Sequence, residues 1–208
     1  MHALRKALLT LVLIVLPLSA SHGAQTAAGS TVATLHSTLL DVMKRSQELG
    51  YKGRYEALNP VISDSFDFAA IARVVLGRYW SELKPEQQQA FVEAFTRLSV
   101  ATYASRFDSF SGESFRPVDA TEQGDENVTV KTELVKADGG TVRLDYVLRP
   151  GEGERWRILN VVADGISDLS LKRADYTSIM KNEGYEALIT KLNERVGRYA
   201  SEPETDGQ

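Results

Sequence analysis

FDFAAIARVVLGRYWSELKPEQQQAFVEAFTRLSVATYASRFDSF, residues 66–110, sets Phe66, Phe68, Tyr79, Trp80, Phe91, Phe95, Tyr103, Phe107 and Phe110 into roughly a fifth of the chain. Most of the other apolar residues there are Ala, Val, Ile and Leu at helical spacing. Asp67 is an N-cap type that accepts from first-turn amides, and Gly77 is a stop, so a short helix is predicted through Leu76. Lys84-Pro85-Glu86 starts the next helix, with Pro85 in the first turn, where a missing N–H costs nothing. That helix aligns Phe91, Phe95, Leu98, Thr102 and Phe107 along one side before Gly112 closes it. A two-helix unit with so many rings builds either a thick core or the walls of an apolar cavity.

Downstream, from Ser114, the apolar period changes from 3.6 to 2. Val128, Val130, Thr132 and Leu134 alternate with Thr129, Lys131 and Glu133. Asp138-Gly139-Gly140 is a hairpin signal, and Val142, Leu144, Tyr146 and Leu148 form the return strand. Pro150 to Gly153 makes a second turn. A long strand, Arg155 to Ala163, alternates Trp156, Ile158, Asn160 and Val162 with Arg157, Leu159 and Val161. Three or four strands in sequence make an antiparallel meander. Two helices follow, one from Leu169 to Lys181 and one after Gly184 that carries Tyr185, Leu188, Ile189, Leu192 and Val196.

Upstream, Val32, Leu35, Leu39, Val42 and Met43 mark the buried stripe of a helix from about Thr31 to Leu49, which Gly50 ends. Ala24 to Gly29 reads as a disordered leader. Tyr51 to Ser65, with Gly53 and Pro60, reads as a broken, partly helical connection. Helices, then a meander, then helices is an α+β pattern. A single domain over residues 25–200 is expected, with residues 201–208 as a disordered tail.

The chain opens MHALRKALLTLVLIVLPLSASHGA. Arg5 and Lys6 precede an apolar run from Ala7 to Leu18, and small residues follow. That is the layout of a signal peptide over residues 1–24, and the run is shorter than the roughly 20 residues a membrane span needs. Cleavage would remove two cations and no acid, so the formal charge of −4 becomes two units more negative. Such acidity excludes nucleic acid as a partner, because that binding rests on clustered Lys and Arg. Cysteine is absent, so an exported form has no disulfides and relies on its core. At this size one core buries roughly 70% of the unfolded surface, which is enough.

His2, His22 and His36 are the only histidines, and two of them fall in the signal peptide. Triad catalysis would have to run through His36 alone, and no zinc set of His and Cys can be assembled. His36 lies in a helical pattern beside Leu35 and Leu39, where a structural role is expected. No cofactor or metal is implied.

Three blocks carry a family resemblance: Phe66 to Trp80, then PEQQQAFVEAF (Pro85 to Phe95) with Tyr103, and then LDYVLRP through Leu192. In order and spacing the chain resembles the MlaC family of periplasmic lipid-transfer proteins, the toluene-tolerance auxiliary proteins, and within it the hopanoid-associated HpnM branch. The chain departs from the wider pattern at Leu159-Asn160-Val161, which lacks the Asp usual before the paired Val, and at Ile166, where Val is usual. The resemblance implies a twisted antiparallel sheet of cystatin or NTF2 type, packed against helices with a helical lobe, and an apolar pocket between the layers. It further implies a monomeric shuttle that carries a phospholipid or hopanoid-type lipid between an inner-membrane ABC transporter complex and an outer-membrane lipoprotein complex.

A lipid carrier needs apolar walls and few polar groups. Each CH₂ exposed to water costs about 0.8 kcal/mol, so a cavity that hides an acyl chain removes a large penalty. The helical wall is expected to use Phe68, Ile71, Val75, Tyr79, Phe91, Phe95, Leu98 and Tyr103. The sheet is expected to add Leu144, Tyr146, Leu148, Trp156, Ile158 and Val162. The C-terminal helices would add Leu169, Tyr176, Ile179 and Leu188. Two other readings stay open. One is an enzyme on an NTF2-like cup, although Asp145 and Tyr146 are strand neighbours and point to opposite faces. The other is an adaptor of a membrane assembly, whose core would be filled.

Overall fold

The computed structural model describes residues 20–123, 127–151, 153 and 155–201. The expected signal peptide falls outside them up to residue 19, and so does the expected tail beyond residue 201. Among the described residues, no helix is long and apolar enough to cross a membrane.

Helix α1 runs Ala20–Lys44 and buries the expected stripe of Val32, Leu35, Leu39 and Val42. It also takes in the segment Ala24–Gly29, where a disordered leader was expected. Ala28 sits one turn before Val32 and is fully buried, so the stripe continues toward the N-terminus. Helix α2 follows as Ser46–Ser65, broken at Gly50, whose φ of 56° and ψ of 179° suit glycine alone. The expected irregular connection is therefore mostly helical. Gly53 and Pro60 are outweighed by burial of Leu58 and Ile62, and by Arg54, whose guanidinium donates to the carbonyls of Ala104 and Ser46.

The corner after α2 is built from polar contacts. The Phe66 backbone pairs with Ile158, and the Asp67 amide donates to the Ile158 carbonyl at 3.0 Å. The Asp67 carboxylate then caps α3, Phe68–Leu76, by accepting from the Ala70 amide at 2.9 Å. A 3-10 turn, Gly77–Glu82, leads into α4, Pro85–Arg106, which has Pro85 in its first turn.

Strands β1 (Ser114–Gln123), β2 (Asn127–Val135), β3 (Thr141–Pro150), β4 (Trp156–Ala163) and β5 (Ile166–Ser167) form an antiparallel meander in sequence order. Val128, Val130, Thr132 and Leu134 face Leu148, Tyr146, Leu144 and Val142 across the β2–β3 ladder, and all lie on the inner face. The outer face carries paired charges: Arg116 of β1 bonds Glu133 of β2 across the ladder, and Arg143 bonds Asp145 two residues along β3.

Strand β4 departs from simple alternation. Leu148 pairs with Ile158, but Val147 pairs with Asn160, so Leu159 is a bulge. Beyond it the inward parity switches: Val161 lies opposite Tyr146 and Ala163 opposite Leu144, while Val162 faces Asp145 on the outer side. Helices α5 (Asp168–Asn182) and α6 (Tyr185–Ser201) close the helical layer, with α5 against α3 and α6 against α4.

Candidate lipid-binding cavity

Between the inner sheet face and α3, α4, α5 and α6 lies a cavity of about 700 Å³. That volume is within the roughly 300–1,000 Å³ usual for small-molecule sites. The helical wall is a run of mutually packed rings. Phe66 stacks on Phe68 at 5.6 Å between centroids, Phe68 meets Phe95 edge-on at 5.6 Å, and Phe95 meets Tyr176 edge-on at 5.9 Å. Tyr103 lies 6.0 Å from Phe66 and stacks on Phe107 at 5.6 Å. Rings braced against one another in this way resist collapse into the space beside them.

Of the residues expected to line such a space, the structure brings together Phe68, Ile71, Phe95, Leu98, Tyr103, Leu144, Tyr146, Leu169 and Tyr176. The others stand elsewhere. Val75, Phe91, Leu148, Ile158 and Leu188 are fully buried in solid core, and Ile179 nearly so. Phe91 stacks behind Phe95, as a second layer of rings. Tyr79 lies on the 3-10 turn under the Arg78 guanidinium. Trp156 sits under α1, where its carbonyl accepts from Thr31. Val162 is turned to the outer face by the β4 bulge.

The bulge also explains several wall residues the sequence did not reveal: Leu159, Val161 and Ala163 face the cavity instead. Leu134 could have been found, because it continues the inward parity of Leu144 and Tyr146. Phe66, Met43 and Phe107 complete the apolar lining.

Lining residues that are themselves exposed mark the mouth: Arg106, Ser109, Lys136, Ile166, Asp168 and Leu171. Ile166 and Leu171 are among the most exposed large apolar side chains, at 60% and 59%. Lys172 bonds Asp168, and Arg195 bonds Asp175 at 3.0 Å. Cations thus outnumber acids around the opening of an acidic protein.

The interior holds little that could do chemistry. His36 lies on the inner side of the sheet, outside the cavity lining, with its Nε2 bonded to the Tyr146 hydroxyl at 2.9 Å. Burial pulls its pKa down to about 4. Burial also pushes the phenols of Tyr103, Tyr146 and Tyr176 up, so they stay protonated. Asp145 is on the outer face under Arg143, and Asp164 sits in the β4–β5 turn, accepting from the Arg143 amide. Neither carboxylate joins Tyr146 in the cavity. Among the described residues, no group of His, Cys, Asp and Glu could hold a metal ion.

A family model described as MlaC protein matches residues 33–194. The chain is 26% identical over 123 residues to the intermembrane phospholipid transport system binding protein MlaC of Haemophilus influenzae, an alignment that covers 58% of each chain. It is 26% identical over 131 residues to the toluene tolerance protein ttg2D of Pseudomonas putida, over 62% of this chain and 60% of that one. The matches therefore span somewhat less than two thirds of these relatives' own lengths. The fold is similar to that of the phospholipid-binding protein from Ralstonia solanacearum solved in complex with a phospholipid. The TM-score is 0.73 at 21% identity, over 86% of this chain and 99% of that one.

Proposed function

This chain belongs to the MlaC family, and from that premise we propose that it is a lipid-binding shuttle that carries a phospholipid or hopanoid-type lipid across the periplasm. The observation that supports this reading best is the hydrocarbon-walled cavity between sheet and helices. Tails placed there leave water, and the wall offers them rings and aliphatic side chains. A polar head stays at the mouth among Arg106, Lys136 and Lys172. Transport needs no bond to be broken, and among the described residues the cavity brings no nucleophile next to a base. Relatives and a structural neighbour named for phospholipid binding or transport support the same reading. Export by a cleaved signal peptide, and delivery between an inner-membrane ABC transporter complex and an outer-membrane lipoprotein complex, belong to this proposal.

Native mass spectrometry of protein purified from the periplasm tests it. One lipid per chain, on a polypeptide that begins near Ala24 or Gln25, is the expected result. Lipid-free protein that also takes up nothing from liposomes would overturn it.

A further inference from the structure

The polar side chains of the cavity divide by whether the protein already engages them. On α4, the hydroxyls of Ser99 and Thr102 donate to the carbonyls of Phe95 and Leu98, one turn back, at 2.9 and 2.8 Å. On the sheet, the Tyr146 hydroxyl is bonded to His36. The Asn160 side chain is held by Ser167 and the Leu169 amide.

Tyr103 and Tyr176 differ. Both line the cavity, and neither hydroxyl has a hydrogen-bond partner among the described residues. Tyr103 is half-buried and Tyr176 almost wholly buried. Among the described residues, the buried side-chain polar atoms left with neither partner nor open space are Thr129 Oγ1 and Arg157 Nε, and no phenol is among them. The two hydroxyls therefore open onto the cavity, one from α4 and one from α5.

Their depth is also defined. On α4, Tyr103 lies one turn from Arg106 of the mouth, and on α5, Tyr176 lies one turn from Lys172. They stand where the apolar interior meets the polar opening. At that level a lipid inserted tails first presents the ester carbonyls that join its chains to the head.

We propose that Tyr103 and Tyr176 form a donor pair that hydrogen-bonds the acyl-ester carbonyls of the carried lipid, and so select ester-linked acyl lipids. This deepens the carrier reading and rests on it. A protonated phenol donates one hydrogen, and an ester carbonyl accepts. A polycyclic hydrocarbon ligand has no acceptor at that depth and leaves both donors unmet, which is costly away from water.

The test uses the mature protein and two probes that differ only at the carbonyls: a diester phosphatidylglycerol and its diether analogue with identical chains. Uptake is read by native mass spectrometry in direct competition. Wild type is expected to prefer the diester about tenfold, the size of one to two hydrogen bonds. The Tyr103→Phe/Tyr176→Phe double variant keeps both rings and should take up the two lipids equally. Tyr79→Phe is the control and should retain the preference, because that phenol lies on the 3-10 turn outside the cavity. Equal uptake of both lipids by wild type, or an undiminished preference in the double variant, would overturn the donor pair while leaving the carrier intact. Uptake of neither lipid by wild type would overturn the carrier reading and the donor pair with it.

Discussion

His36 on α1 and Tyr146 on β3 are joined by a 2.9 Å hydrogen bond between Nε2 and the phenol oxygen. The same imidazole lies flat on Phe115 of β1, with centroids 3.8 Å apart and an interplanar angle of 8°. One ring thus ties the first helix to two strands, directly behind a wall residue of the cavity. The histidine whose helical pattern predicts a structural role braces that wall.

That burial makes stability depend on pH. In the folded protein His36 stays neutral down to about pH 4, whereas in the unfolded chain it takes a proton below about 6.5. Between those values the unfolded state binds more protons. The contribution is therefore complete above pH 6.5 and falls as the pH drops toward 4, by about 3 kcal/mol in all. His36→Gln should lose stability at pH 7 but show a shallower decline on acidification. Urea midpoints at pH 7.5, 6, 5 and 4 would check this, and parallel curves for the two proteins would refute it.

Asp67 holds a corner where three elements meet. Burial pushes its carboxyl up, but the Ala70 amide and the Arg149 guanidinium together hold it below the usual range. Asp67→Ala removes the cap of α3 and the partner of Arg149, so a loss of about 1–3 kcal/mol is expected. Asp67→Asn can still accept from Ala70 and should lose less. Thermal melts would rank the three proteins, and equal midpoints would show that the corner does not need the carboxylate.

Two leucine-sized residues of the sheet should respond oppositely to the same charge. Leu144 faces the cavity and is half-buried, whereas Ile158 is fully buried between sheet and helices. Leu144→Arg can send its guanidinium toward the mouth, and should fold yet carry no lipid. Ile158→Arg places an unpaired charge in solid core and should not fold. Circular dichroism with lipid extraction separates the two. A folded, fully loaded Leu144→Arg protein would remove this residue from the wall.

Gly77 ends α3 with φ at 55° and ψ at −126°. A Cβ there meets only the Arg173 guanidinium, at 3.6 Å, so space is not the constraint. The backbone is, and Gly77→Ala should cost about 1–3 kcal/mol through strain alone. A denaturation midpoint matching wild type would show that the turn can relax.

Local signals were legible because short-range chemistry governs them. Asp67 capping α3, Pro85 opening α4 and the Asp138-Gly139-Gly140 hairpin all stand as the residues predict. The helix through Gly53 and Pro60 was not legible, because the burial of Leu58 and Ile62 that outweighs those breakers comes from distant elements. The β4 bulge was equally hidden. Leu159 continues an unbroken alternation in sequence, and only the register against β3 shows that one residue is extra.

By itself the sequence determined the α+β class, the meander and the family, since periodicity, turn residues and ordered motifs are properties of the chain. Tertiary structure alone decided which rings became core and which became wall. Phe91 and Phe95 lie one helical turn apart, and in sequence nothing separates them. Phe91 is packed over by Phe95 and Tyr176, while Phe95 borders the cavity. A cavity is volume left unfilled where several elements meet, and no single stretch of chain encodes it.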